Sequence, residues 1–137
     1  MAKRTEAYVD TSALIAFADQ SDTHHALFRR LFADPPILVT SPLVIAEGQG
    51  WFLRRYDRMK ALEFMSMVED LTPLKTLAVG QREQKAAHRI LAEFPNQDLT
   101  LADAVGLYFL ESRKMMSCWS TDFHLGLTGV PLVIHEH

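Results

Sequence analysis

The sequence is poor in cysteine. Its 137 residues include one cysteine, Cys118, so an internal disulfide is excluded. This cysteine lies between Ser117 and Trp119 in a predicted strand, which favours an inert buried thiol in a reducing compartment. Paired Cys and His ligands at metal-binding spacing are also absent. We therefore expect no disulfide framework and no structural zinc site.

Two further absences narrow the function. The longest apolar run near the start contains Asp10 and lacks a small-residue cleavage site, so we expect no signal peptide, no membrane span and a cytoplasmic location. Lys and Arg number 14 against 17 Asp and Glu, a net charge of −3. Proteins that hold long nucleic acids by bulk electrostatics usually have a marked basic excess. Any polyanion bound by this chain must therefore contact a local group of basic residues. Two basic runs could contact phosphates or could be solvated helix faces: Arg29-Arg30 and Arg54, Arg55, Arg58, Lys60.

What the chain does have is an alternation of short apolar strands and amphipathic helices. Hydrophobic residues make up 48% and charged residues 23%, as in an ordinary globular protein. Strands are predicted over 7–9, 37–40, 74–77, 115–120 and 131–134, with helices between them. We expect one domain over residues 1–137, without repeats or linkers, of the α/β class. Its centre would be a mostly parallel sheet of about five strands flanked by helices.

Two acids follow predicted strands directly. Asp10 ends the first strand, and Asp122 follows the strand over 115–120. The carboxyl ends of parallel strands form the edge where open α/β sheets bind their ligands. Asp10 taken alone could equally cap the next helix, which begins with the strong helix starters Thr11 and Ser12. Those two residues could also offer hydroxyl or backbone donors to a phosphate.

Two more acids lie in the first turns of helices that are expected to be buried. Glu47 shares a helix face with Leu43 and Val44 and should point inward unless the helix is rotated away from the sheet. An acid on an inward face is costly unless it is paired or metal-bound. Asp103 stands at the third position of a helix capped by Thr100, the arrangement of a capping box with a shorter acid. Because that helix is nearly apolar all round, its first turn should face the ligand edge of the sheet.

The topology can bring the four acids to one edge of the sheet. Two carboxylates about 4 Å apart repel each other by about 4 kcal/mol at an effective dielectric constant near 20, so such a cluster needs protonation or a cation. Oxygen ligands select Mg²⁺ or Mn²⁺. We expect Asp10 and Asp103 to be the direct ligands, with Glu47 and Asp122 completing the pocket by orienting metal-bound waters or holding a second ion. An ion held in this way can promote hydrolysis of a phosphodiester.

Four motifs together resemble those of PIN-domain ribonucleases, specifically the VapC type of toxin in toxin–antitoxin systems. They follow the family's usual order and spacing over nearly the full length of the chain: residues 8–14 (YVDTSAL), 40–47 (TSPLVIAE), 99–104 (LTLADA) and 120–124 (STDFH). One departure lies in the last motif. There the family more often has a polar residue after the acid and an aromatic residue at the fourth place, where this chain has Phe123 and Leu125.

The resemblance implies a fold, an activity and partners. The fold would be a single PIN-like three-layer domain. The activity would be that of a Mg²⁺- or Mn²⁺-dependent endoribonuclease acting on single-stranded or looped RNA, with transfer, ribosomal and messenger RNA all open as substrates. The protein would be a homodimer held inactive by a cognate antitoxin. The four residues on the family's acidic positions are Asp10, Glu47, Asp103 and Asp122.

Two rival readings remain at this point. A phosphoacceptor receiver domain also places acids at strand ends, but it needs an acidic pair beside the first strand and a lysine after a late one. Here Asp10 is followed by Thr11 and Ser12, and residues 117–122 contain no lysine. The other rival is a catalytically silent PIN-fold module that binds RNA or acts as a scaffold. Retention of all four acids argues against it, and an assay of metal-dependent RNA cleavage would decide.

Overall fold

The computed structural model describes residues 6–137. Within this range, helices and short strands alternate along the chain. The strands are Glu6–Val9 (β1), Ile37–Thr40 (β2), Leu74–Thr76 (β3) and Ser117–Trp119 (β4). The helices are Thr11–Ala18 (α1), His25–Ala33 (α2), Pro42–Arg55 (α3), Arg58–Asp70 (α4), Gln81–Glu93 (α5) and Leu101–Ser112 (α6).

The four strands form one parallel sheet in the order β3-β2-β1-β4. This confirms the α/β class, although the predicted strand over 131–134 is wrong. Leu132 makes only an isolated bridge to Cys118, and Val133–His135 then forms a 3-10 turn. The amide of His135 donates to the carbonyl of Leu132 at 3.0 Å, so the chain closes on itself instead of extending the sheet.

The core is built around the central strand β1. Ala7, Tyr8 and Val9 have no exposed surface. Successive residues of a strand point to opposite faces, so both faces of the sheet are covered. Helix α6 is buried along most of its length, as its apolar sequence predicts. Within the described range, no helix combines the length and apolar character needed to cross a membrane.

Helix α3 packs on α4 through a stripe that differs from the predicted one. Val44, Gly48 and Phe52 are buried, whereas Glu47 is exposed on the flank of the helix. The expectation that Glu47 points into the core is therefore wrong, because the helix is rotated about its axis by roughly the 100° that separates neighbouring residues. A Cβ at Gly48 would lie 2.3 Å from Cζ of Phe64 on α4, so only glycine fits this contact.

Candidate functional site

A pocket of about 310 Å³ lies at the carboxyl end of β1. All four acids singled out in the sequence line it, and they come from four separate segments of the chain. The remaining lining residues are Thr11, Ser12, Ile15, Trp51, Arg54 and Thr100. The structure thus brings together side chains that are up to 112 positions apart, Asp10 to Asp122.

Asp10 is the most deeply buried of the four, with 5% of its surface exposed. Its amide donates to the carbonyl of Trp119 at 3.0 Å, which fixes it beside β4. Its Oδ2 accepts hydrogen bonds from the hydroxyls of Ser12, at 3.1 Å, and Ser120, at 3.0 Å. Although Asp10 stands at the N-cap position of α1, its side chain makes no capping bond. Burial, with a contribution from the charge of Asp103, raises its pKa to about 6.

Glu47 reaches the pocket from α3. Its Oε1 accepts a hydrogen bond of 2.8 Å from the hydroxyl of Thr11. Although Glu47 as a whole residue is exposed, partial desolvation of its carboxylate, together with the charges of Asp103 and Asp122, raises its pKa above the ordinary value. The contribution of Asp103 and Asp122 to this shift comes from negative charge gathered in the pocket, and that charge favours a bound cation.

Asp103 has a double role at the start of α6. Its Oδ2 accepts from the amide of Thr100 at 3.1 Å, and its own amide donates to the hydroxyl of Thr100 at 3.1 Å, which completes the capping box. The residue is 8% exposed, and within residues 6–137 its other oxygen, Oδ1, has no hydrogen-bond partner. The cap therefore orients the carboxylate and leaves one oxygen for a ligand.

Asp122 follows β4 and turns the chain into a 3-10 segment, Phe123–Gly126. Its Oδ1 accepts from the amide of His124 at 3.0 Å, and Nδ1 of the same histidine lies at 3.0 Å. Asp103, Asp122 and His124 each offer a ligand atom within 4.8 Å of the others. This spacing is compatible with a shared cation.

Sequence reasoning missed several parts of this site. Ser120 is fully buried and bonds to Asp10 and to the amide of Asp122. Its position two residues before Asp122, at the end of a strand, is the signal that could have revealed it. The hydroxyls of Thr11 and Ser12, which the sequence offered as donors that could contact a phosphate, hydrogen-bond to two of the acids. Cys118 is a buried thiol as predicted, and burial raises its pKa well above the ordinary value.

Trp51 was also missed, although its spacing marks it. It lies one helical turn after Glu47 and one turn before Arg54, so the three residues share a face of α3. Arg54 itself belongs to the basic run noted in the sequence, and its place in the pocket is what the structure adds.

Comparisons with known proteins agree with this architecture. The family model described as PIN domain matches residues 7–107. The sarcin–ricin-loop-cleaving toxin VapC20 of Mycobacterium tuberculosis superposes with a TM-score of 0.81 at 21% identity, over 90% of this chain and 95% of that chain. PAE2754 from Pyrobaculum aerophilum gives a TM-score of 0.66 at 22% identity, over 93% and 88% of the two chains.

A toxin–antitoxin complex from Klebsiella pneumoniae contains a further similar chain, with a TM-score of 0.61 at 17% identity over 91% of this chain and 92% of that one. No curated protein sequence matches significantly. At these identities the solved structures show the fold, whereas the family model, which covers most of the chain, shows membership.

Proposed function

The chain belongs to the PIN domain family, and on that premise we propose that it is a divalent-metal-dependent endoribonuclease whose active site is the acidic pocket. One observation carries the proposal: four carboxylates from four segments line a single pocket, and two of them, Asp10 and Asp103, are almost completely buried. Burying that much like charge is costly unless a cation compensates it. A role in fold stability alone does not account for such an arrangement.

The donor set fits Mg²⁺ or Mn²⁺. All four acids offer oxygen ligands, which both ions prefer. Asp10 and Asp103 would hold the ion directly, while Glu47 and Asp122 would complete the pocket. When bound, the ion would neutralise charge developing on the scissile phosphate and make an attacking water more acidic.

The chain's own residues would keep the acids in place for this chemistry. Ser12 and Ser120 fix the carboxylate of Asp10 through hydrogen bonds to one oxygen. Thr11 does the same for Glu47, and the Thr100 cap does so for Asp103. Positioning by neighbouring hydrogen bonds is what metal-ligating side chains ordinarily need.

The test is cleavage of RNA by the purified protein. We expect single-stranded or looped RNA to be cut in Mg²⁺ or Mn²⁺ and to stay intact in EDTA, with Asp10→Asn inactive. Asp98→Asn serves as the matched control, because Asp98 is an exposed acid that does not line the pocket. Equal cutting by the Asp10 variant would show that a contaminant is responsible. A folded, metal-binding protein without any cleavage would instead favour the silent scaffold.

We further propose that the protein is a cytoplasmic, homodimeric toxin that a cognate antitoxin inactivates. The similarity to VapC20 and to a chain from a toxin–antitoxin complex supports this. An amphipathic antitoxin helix would suit the apolar groove of about 610 Å³ between α1 and α4. Phe17 lines that groove and also the smaller hollow between α1 and α2.

Mixing the protein with the product of the neighbouring small gene tests this assignment. We expect a stable complex in which RNA cleavage is lost, and light scattering of the free protein should give the mass of a dimer. Failure to form a complex would remove the toxin assignment while leaving the nuclease assignment intact.

A further inference from the structure

We propose that Trp51 and Arg54 form a binding site for one unpaired RNA nucleotide beside the acidic pocket. The base would stack on the Trp51 indole, and the Arg54 guanidinium would contact a phosphate. The inference rests on the proposed ribonuclease function and deepens it by naming the side chains that select single-stranded or looped RNA.

Placement on one helix face is the first support. Glu47, Trp51 and Arg54 occupy positions i, i+4 and i+7 of α3, and all three line the same pocket. A nucleotide that contacts Trp51 and Arg54 would therefore lie next to the carboxylates. The helix is a rigid support, because the adjacent stripe, about 100° around its axis, is packed on α4.

Trp51 is held as a fixed platform. It is partly buried against the core and meets Phe52 edge to face, with ring centroids 4.9 Å apart and planes at 82°. Tyr56 adds a second edge contact at 6.1 Å and 70°. An aromatic ring held in this way and open to a pocket can stack with any base, because every base has a π face.

Arg54 supplies the positive charge that a phosphate needs near four carboxylates. It is exposed, it is the one cation among the described residues that line the pocket, and over residues 6–137 it forms no ion pair. Its guanidinium folds back over Gly50, where a Cβ would lie 3.0 Å from Nη1. Glycine at this position therefore leaves room for the guanidinium along the helix, on the side of Glu47 and the pocket.

The combination selects unpaired nucleotides. Bases in an RNA duplex are stacked on their neighbours and cannot lie flat on a protein ring, whereas bases in loops and single strands can. One arginine is too little charge to hold a long duplex by its backbone in a protein of net charge −3. Binding must therefore depend on the stacked base together with the single phosphate contact.

Tryptophan fluorescence gives a direct readout. The only other tryptophan, Trp119, is 3% exposed and packs on Phe32, so a ligand-dependent change would come from Trp51. The wild-type protein in Ca²⁺ is titrated with a short oligoadenylate RNA, whose integrity is checked on a gel. We expect quenching by the oligoadenylate. We expect none with the same strand made abasic, and none with a blunt RNA duplex.

Affinity is then measured by anisotropy of a labelled oligoadenylate. Trp51→Leu should weaken binding roughly 5- to 150-fold, which is the affinity that stacking of one base contributes. Trp51→Phe keeps an aromatic ring and should restore most of that affinity. Both variants should keep the melting temperature within a few degrees of the wild type, which separates loss of stacking from loss of fold.

The Arg54 contact has its own signature. Arg54→Gln should reduce the slope of log affinity against log salt by about 0.7, the value for one phosphate contact on a single strand. Arg30→Gln is the matched control, because Arg30 is an exposed arginine on α2 outside the pocket, and it should leave the slope unchanged.

Three results would overturn the inference. They are unchanged affinity in Trp51→Leu, an unchanged salt slope in Arg54→Gln, and a Trp51 variant that loses antitoxin binding while keeping RNA binding. If cleavage remains in those cases, the nuclease assignment survives. If instead the oligoadenylate quenches Trp51 but no RNA is ever cut, the nucleotide site stands and the proposed function fails.

Discussion

Replacing Asp10 by asparagine should stabilise the metal-free protein at neutral and alkaline pH. Burial raises the pKa of Asp10 from its ordinary value of 3.8 to about 6. The folded protein therefore holds the proton more tightly than the unfolded chain. As pH rises from about 4 to about 6, the free energy of unfolding falls, and above about pH 6 this loss of stability is complete.

The size of the effect follows from those two pKa values. Their difference corresponds to about 3 kcal/mol at 1.36 kcal/mol per pKa unit. Asparagine removes the buried charge but accepts weaker hydrogen bonds from Ser12 and Ser120, which offsets about 1 kcal/mol. A net gain of about 1–3 kcal/mol at pH 8 would raise the melting temperature by about 3–10 °C.

Thermal unfolding in EDTA at pH 4 and pH 8 measures this gain. We expect Asp10→Asn to melt above the wild type at pH 8 and to lose the advantage at pH 4. Saturating Mn²⁺ should then stabilise the wild type and not the variant, since an ion that binds only the folded state adds about 2.7 kcal/mol at one hundred times its Kd. If the variant melts below the wild type at pH 8 in EDTA, or if Mn²⁺ stabilises both equally, the reasoning is refuted.

Two further changes test how the site is supported. Gly48→Ala should destabilise the protein by about 1–3 kcal/mol, because its Cβ would meet the Phe64 ring. Gly50→Ala should not destabilise it, because the new Cβ displaces only the flexible end of a side chain. Equal denaturant midpoints for the two variants would contradict this. Thr100→Ala should lower stability by about 0.5–2 kcal/mol in urea unfolding and weaken Mn²⁺ binding, since it removes the cap that orients Asp103. Thr100→Ser should restore both stability and Mn²⁺ binding. Wild-type Mn²⁺ affinity in Thr100→Ala would show that the cap does not support the site.

Much of the fold could be predicted because local signals agreed with the tertiary structure. The short apolar segments around Tyr8 and Val39 became central strands, and the apolar sequence of α6 became a buried helix. The segment over 131–134 has the same apolar character but did not become a strand. The competing choice was a 3-10 turn closed by its own backbone hydrogen bond, which an apolar pattern does not reveal.

The candidate site also has parts that could be predicted from the sequence and parts that could not. The acids could be found because their places relative to strand ends and helix starts are readable along the chain. The Thr100 cap of Asp103 could be predicted as well, because both residues lie in one helix turn. The support of Asp10 could not, since Ser120 reaches it across 110 positions and such pairing depends on the assembled sheet. The rotation of α3 was equally hidden. The close fit of Gly48 against Phe64 sets which stripe faces the core, and this leaves Glu47 on the flank with Trp51.

The account as a whole depends on a divalent ion in the acidic pocket. Crystals soaked in Mn²⁺, with diffraction collected at the manganese absorption edge, test this most directly. The account predicts an anomalous peak within coordination distance of Asp10 and Asp103, absent from crystals of Asp10→Asn. A wild-type crystal with no peak in the pocket, or with peaks only elsewhere on the surface, would contradict it.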